Sequence, residues 1–194
     1  MLWVCPFNLI FGEIIKHLAM LKEDVFTEDI PAVEEAAAPA TLSDYETERN
    51  KPMPNRIHGA IQSQIGFLLK SVYGDKYQFI SELALDTTPG STPDICIFPK
   101  KKLDVKNTPA KETEAPLTTI EIISPSQTFN ELMHKAWDLY FPMGVKSAWI
   151  VVPEVKAIHI IMPGGDNLYF ASGKLKDPAT GIEVPVERVF EDLL

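Results

Sequence analysis

The runs TPDICIF at residues 92–98 and LTTIEIISPS at residues 117–126 each set one acidic residue among apolar and β-branched residues. This composition is typical of strands inside a sheet, and it predicts strands over Asp94–Phe98 and Leu117–Ile123. Asp94 opens the first strand, and Glu121 lies in the middle of the second. Because a buried carboxylate is costly unless a cation or hydrogen bond compensates it, the two acids are candidates for sharing one cation.

Pleating of the second strand places Glu121 on the same face as Thr119 and Ile123, opposite the two isoleucines beside it. If the two strands are neighbours, both carboxylates can reach that face. Two simpler interpretations remain open. Asp94 could be a strand-opening acid that makes a local turn bond, and Glu121 could be a charge on an edge strand that faces water.

The rest of the pattern predicts a mixed α/β fold with a central sheet flanked by helices and C-terminal β-hairpins. Apolar residues recur at helical spacing after Asn55, and Gly74 ends that helix. A strand over residues 76–86 and a final run at 182–186 that closes a sheet edge are also expected. The other predicted elements are a helix at Phe129–Phe141 and strands at Ser147–Val152, Ala157–Met162 and Leu168–Ala171.

Lys135 follows the two acids on the predicted helix. Mg²⁺ and Mn²⁺ prefer hard oxygen ligands, usually one or two carboxylates with water and a substrate phosphate, so Asp94 and Glu121 are the candidate metal ligands. An ammonium group beside such an ion can orient the attacking water and neutralise the scissile phosphate. An acid, an acid and a lysine therefore indicate a metal-dependent phosphodiesterase site, with Asp94, Glu121 and Lys135 as candidate catalytic residues.

Several neighbours have both a structural and an auxiliary interpretation. Glu131 completes a capping box with Thr128 and stands four residues before Lys135, so it is predicted first to cap the helix and second to support Lys135, although such a pair is commonly only a surface ion pair. His58 could touch the site, although a solitary histidine beside an apolar stripe is more often structural. Glu82 could join the acidic cluster or face solvent. The remaining histidines, His134 and His159 among them, are predicted to be ordinary helix-surface and strand residues.

The formal net charge of −9 argues against a grip on nucleic acid over the whole surface, because phosphate contacts need clustered lysine and arginine. One dense basic stretch follows the first acidic strand, with Lys100, Lys101, Lys102 and Lys106. It is predicted either to contact DNA at the rim of the site or to be a solvated loop. The two cysteines have no metal-ligand spacing, so reduced, cytoplasmic chemistry is the default.

The first 41 residues are predicted to be a flexible or spurious extension ahead of one domain at 42–194. Residues 1–19 are apolar but interrupted by polar residues, too short for a membrane span and without the basic start of a secretion signal. A natural start at Met20 is expected, with a weak signal peptide as the alternative. The acidic, alanine- and proline-containing run at 21–40 reads as a flexible arm, and a short helix is expected just after Leu42.

The ordered set of Pro93-Asp94, the run EIISPS from Glu121, the pair Glu131 and Lys135, Tyr140, and GVKSAWIV from Gly144 resembles the Uma-two family. That family is described as restriction endonucleases with the PD-(D/E)XK nuclease fold. The resemblance covers most of the chain after residue 42. It places the two acids of the signature on Asp94 and Glu121. Ile123 stands where the signature has its lysine, and the resemblance places the working lysine on the next helix, at Lys135.

The resemblance implies a restriction-endonuclease-like domain that hydrolyses phosphodiester bonds in DNA with Mg²⁺ or Mn²⁺. A homodimer is compatible with it, since cutting both strands of a duplex takes two sites. Two alternatives stay open. The absence of the strand lysine and the acidic balance fit a catalytically silent nuclease fold that acts as an interaction or regulatory protein, and the substrate could be a nucleic acid other than DNA.

Overall fold

A six-stranded sheet in the order β1-β2-β3-β4-β5-β6 organises residues 53–194, the part of the chain that the computed structural model describes. Neighbouring strands are antiparallel except β3 and β4, which run parallel. The predicted mixed α/β fold is confirmed, while the expectations for residues 1–52 lie outside the described residues. The strands are β1 (Tyr77–Ser81), β2 (Ile95–Pro99), β3 (Thr118–Ile122), β4 (Ser147–Val152), β5 (Ala157–Ile161) and β6 (Asn167–Phe170).

One face of the sheet is covered by helix α1 (Arg56–Tyr73), which begins where the Asn55 side chain accepts a hydrogen bond from the His58 backbone N–H at 2.9 Å. Its buried stripe packs with the apolar residues of the strands into the larger core. That core takes Ile120 and Ile122 from β3, so the predicted alternation along β3 is confirmed. The helical residues of the stripe are Ile61, Ile65 and Leu69.

Helix α2 (Phe129–Lys135) covers the opposite face and begins with the predicted capping box, in which Thr128 Oγ1 accepts from the Glu131 N–H at 3.2 Å. The helix continues through a π-helical turn (Ala136–Tyr140) and a last turn (Phe141–Met143). Gly144, at φ +118°, ends it, a conformation that favours glycine. The smaller apolar clusters under α2 are built from β2, β4, β5 and the helix itself.

Two strand predictions were wrong in extent or place. Strand β1 stops at Ser81 because Glu82 has a positive φ of 54°, which turns the chain out of the extended region. The final predicted strand closes no edge of the main sheet. Strand β8 (Glu183–Pro185) instead pairs with β7 (Lys174–Lys176) in a separate two-stranded sheet, just before the short helix α3 (Val186–Val189).

The link between β7 and β8 is fastened to the main sheet by Asp177, a fully buried carboxylate. Its Oδ2 accepts hydrogen bonds from Thr118 Oγ1 at 2.9 Å and Thr180 Oγ1 at 2.8 Å, and its Oδ1 accepts from the Ala179 N–H at 3.0 Å. Because its partners satisfy both oxygens, this acid is explained by folding alone.

Between Met53 and Leu194, no helix is long and apolar enough to cross a membrane.

Candidate active site

Asp94 stands immediately before β2, on the face of the sheet that α2 covers, and it is fully buried. Ile95 pairs with Ile120, so one further step of the antiparallel register sets Asp94 beside Glu121. Asp94 Oδ2 accepts a hydrogen bond from the Ile122 N–H at 2.7 Å. This contact crosses from one strand to the next, so Asp94 does more than make the local turn bond that was the simpler interpretation of its position.

Glu121 lies in the third of six strands, with only 3% of its surface exposed, so the alternative of an edge-strand charge facing water was wrong. Its Oε1 is contacted twice from α2 and the turn that follows. Lys135 Nζ lies 2.8 Å away, in ion-pair contact but without the angular geometry of a hydrogen bond, and the Tyr140 hydroxyl donates a hydrogen bond to the same oxygen. Both contacts fall on one oxygen, and no described residue hydrogen-bonds Oε2.

The π-helical turn explains how Lys135 and Tyr140 reach one atom. Residues five apart on an α-helix point about 140° away from each other, since each residue turns the helix by about 100°. A π-turn closes with a bond from residue i+5 to residue i, and here the Phe141 N–H donates to the Ala136 carbonyl. The wider turn brings residues five apart back to the same side. The Lys135 ammonium consequently also lies 5.7 Å from the Tyr140 ring centroid.

Helix α1 contributes a second set of contacts to Asp94. His58, which is 1% exposed, places Nε2 3.1 Å from Asp94 Oδ2, a polar contact at hydrogen-bond distance although the angle is not that of a hydrogen bond. One turn later, Gln62 Nε2 donates to the Asp94 carbonyl at 2.9 Å and to Glu82 Oε1 at 3.2 Å. The structure therefore brings both His58 and Glu82 to the surroundings of Asp94, and Glu82 is linked to it through Gln62.

The structure places the other predicted auxiliary residues away from the acids. Glu131 is exposed and its carboxylate is used by the capping box, so the helix cap is its role and the surface ion pair with Lys135 was wrong. The basic stretch that begins at Lys100 lies at the opposite end of β2 from Asp94, about 20 Å along the strand. Lys101 is paired there with Glu114, so this loop does not form the rim of the site.

Sequence reasoning did not assign Tyr140 or Gln62 to the site. Gln62 had a detectable signal, because it stands four residues after His58 on the same side of α1. Tyr140 had none in its spacing, because an ordinary helix would turn it away from Lys135. Burial raises the pKa of Tyr140 well above its ordinary value, and the nearby Glu121, Cys96 and Asp94 raise this pKa further.

The raised pKa of Tyr140 predicts an alkaline loss of stability. Above pH 10 the unfolded chain loses the phenol proton while the folded protein keeps it, so the unfolded state binds fewer protons and stability falls as pH rises. One such group contributes a slope of about 1.4 kcal/mol per pH unit. Urea unfolding of wild type and Tyr140→Phe on both sides of pH 10 should show this extra slope in wild type alone. Parallel slopes would contradict it.

The donors at this site match a hard divalent cation and not a soft one. The strand register sets Asp94 beside Glu121, the Lys135 ammonium contacts Glu121 Oε1, and Glu121 Oε2 has no hydrogen bond from a described residue. In residues 53–194, no group of three or more histidine, cysteine or acidic side chains is placed to hold a metal ion. Magnesium needs fewer protein ligands, because water and substrate phosphate complete its shell. The residues present therefore fit Mg²⁺ or Mn²⁺ held by Asp94 and Glu121.

Two comparisons with known proteins identify the family and the fold. The model of the Uma2 family, described as "Putative restriction endonuclease", matches residues 28–188. The fold is similar to that of a crystal structure from Anabaena variabilis titled as a "putative nuclease belonging to DUF820". The TM-score is 0.62 at 22% identity, over 74% of this chain and 85% of that one. No protein with a curated description matches the chain.

Proposed function

Because the chain belongs to the Uma2 family of restriction-endonuclease-like proteins, we propose that it is a Mg²⁺- or Mn²⁺-dependent nuclease that hydrolyses phosphodiester bonds in DNA. The observation that carries the proposal is the 2.8 Å contact between Lys135 Nζ and Glu121 Oε1, beside the register position of Asp94. The strand position normally held by the lysine is occupied by Ile123, and the helix supplies an ammonium group to the site instead.

In this proposal, Asp94 and Glu121 hold the cation, and their neighbours fix the orientation of each carboxylate. The Ile122 N–H and His58 contact one oxygen of Asp94, while Lys135 and Tyr140 occupy one oxygen of Glu121. Such outer contacts orient metal ligands and typically change affinity or activity about 10- to 100-fold when removed.

Lys135 has the catalytic task of balancing charge. Its side chain is 10% exposed and its ammonium nitrogen is buried, so the charge acts where water screens it little and can attract the scissile phosphate or orient the attacking water. The bound divalent ion would add Lewis-acid stabilisation of the charge on the phosphate. Burial of both acids keeps the carboxylate pair away from bulk water, which strengthens each of these electrostatic contacts.

A Mn²⁺ titration by calorimetry tests this site without knowledge of the substrate. Wild type should bind Mn²⁺, and Asp94→Ala should bind it at least about 10-fold more weakly, because one of two charged ligands is lost. Asp75→Ala removes an exposed aspartate at the far end of α1 and serves as the matched control. Equal Mn²⁺ affinity for wild type and Asp94→Ala would rule out this ligand assignment.

A substrate panel then tests the reaction itself. Single-stranded and duplex DNA and RNA, incubated with Mg²⁺ or Mn²⁺ at several salt concentrations, should reveal metal-dependent cutting that disappears in Glu121→Ala. Cutting that survives this substitution would reject the assignment of Glu121. Light scattering of the same samples tests for a homodimer, which the proposal needs only if both strands of a duplex are cut.

The competing function is a silent nuclease fold that serves as an interaction or regulatory protein. Its specific support is Ile123, which occupies the signature position of the lysine, together with the net charge of −9. Mn²⁺ binding with measurable turnover would reject it. Metal binding without turnover on any member of the panel would favour it over the nuclease.

A further inference from the structure

Three aromatic rings meet on the α2 face of the sheet, at its β6 edge. The His159 ring lies 4.5 Å from the Phe129 ring and 5.0 Å from the Tyr169 ring, measured between centroids. His159 Nδ1 and Asn167 Oδ1 are 3.1 Å apart, which fixes the middle ring. Tyr169 is 58% exposed and belongs to the edge strand. The edge therefore presents an exposed Tyr169 ring that packs against the His159 ring.

These rings stand in line with the proposed catalytic acid. Glu121 pairs with Ile150, Ile150 pairs with His159, and His159 pairs with Tyr169. Residues paired in this way point to the same face, and three strand spacings put Tyr169 about 14 Å from Glu121. Helix α2 spans the same interval, with Phe129 in its first turn against His159 and Lys135 in its last turn against Glu121. The aromatic edge thus lies near the first turn of α2, and Glu121 lies near the last turn of the same short helix.

The charges on this side indicate what such an edge could hold. A duplex conceals its base faces and is gripped mainly through phosphates by clustered cations. Here Lys135 is paired with Glu121, the lysine-rich loop lies at the far end of β2, and the net charge is −9. A single strand exposes its bases, so stacking on aromatic rings adds to its binding in a way that a duplex does not allow.

We infer that Tyr169, supported by His159, stacks a base of a single-stranded nucleic acid whose scissile phosphate lies at Glu121. This inference rests on the proposed nuclease function and narrows its substrate to single-stranded or unpaired stretches. One strand requires one cut, so a single copy of the chain would suffice for it.

Binding without metal separates this inference from catalysis. Fluorescence anisotropy in a chelating buffer would use a labelled deoxyadenosine oligonucleotide, alone or paired with its complement. Tyr169→Ala should weaken single-strand binding about 5- to 100-fold, the loss of one stacked base, while Tyr169→Phe should stay within about twofold of wild type because its ring remains. Phe67→Ala is the matched control, because it removes an exposed aromatic ring that lies on α1 and not on the β6 edge. It should bind the single strand as wild type does.

The outcomes are distinct for the two claims. Tyr169-dependent binding of single strands without any cleavage contradicts the nuclease proposal and supports the stacking site. Cleavage together with unchanged single-strand affinity in Tyr169→Ala overturns the stacking site and leaves the nuclease intact. Preference of wild type for the duplex, no single-strand binding, or an equal loss in Phe67→Ala would also overturn it. Circular dichroism of each variant verifies that it is folded.

Discussion

Replacing Lys135 with methionine should lower kcat for phosphodiester hydrolysis about 10²- to 10³-fold, the usual effect of removing one preorganised group that stabilises transition-state charge. Methionine keeps most of the length and apolar contacts of the lysine stem, so the core beneath α2 should be preserved. The ammonium lies 2.8 Å from Glu121 Oε1, and its loss removes a positive charge that competes with a divalent ion for that carboxylate.

Cleavage kinetics and Mn²⁺ calorimetry on Lys135→Met together identify the role of Lys135. Steady-state cleavage should show the loss of kcat, whereas calorimetry should show Mn²⁺ affinity equal to or higher than that of wild type. Lys146→Met removes an exposed lysine just before β4 and is the matched control for a lost charge, with kcat expected to be unchanged. Cleavage by Lys135→Met at the wild-type rate would remove this lysine from the chemistry.

Replacing Glu121 with alanine should have the largest effect on stability, a loss of about 3–5 kcal/mol in the free energy of unfolding. The substitution leaves the Lys135 ammonium buried without its counter-charge and the Tyr140 hydroxyl without its acceptor. Hydrolysis should fall in parallel by about 10³-fold or more, since charge stabilisation by a bound cation is worth several kcal/mol.

Urea unfolding measures the loss of stability in Glu121→Ala. A compensated variant then tests whether the unpaired polar groups cause that loss. In Glu121→Leu/Lys135→Met/Tyr140→Phe all three polar groups are gone, so most of the lost stability should return although activity does not. If the triple variant is instead less stable than Glu121→Ala, the loss comes from packing and not from an unpaired charge. The comparison thus separates the electrostatic from the steric contribution of this carboxylate.

The sequence alone predicted the alternation in β3, because period-two patterning assigns residues to the faces of a sheet whatever the neighbouring strands are. It therefore separated Glu121 from the isoleucines that pack under α1. Local signals also set the start of each long helix: Asn55 and Thr128 cap backbone N–H groups within three residues of themselves. Such information is local, so it is readable before any tertiary contact is known.

Long-range partners could not be predicted in this way. Lys135 could pair with Glu131 on its own helix or with an acid on the sheet, and only the packing of α2 over β3 selected Glu121. The lysine-rich loop is adjacent in sequence to the first acidic strand, yet β2 carries the chain about 20 Å away from Asp94 before that loop begins.

What the sequence by itself determined is thus the six strands of the main sheet, the two helices that cover its faces, the alternation along β3 and the family pattern of two acids and a helix lysine. The tertiary structure alone decided that Lys135 and Tyr140 meet on one oxygen of Glu121, and that His58 reaches Asp94. The physical reason is that residue spacing specifies direction around a helix or strand. The neighbour found in that direction depends on strand order and on the π-helical turn, and both arise from packing.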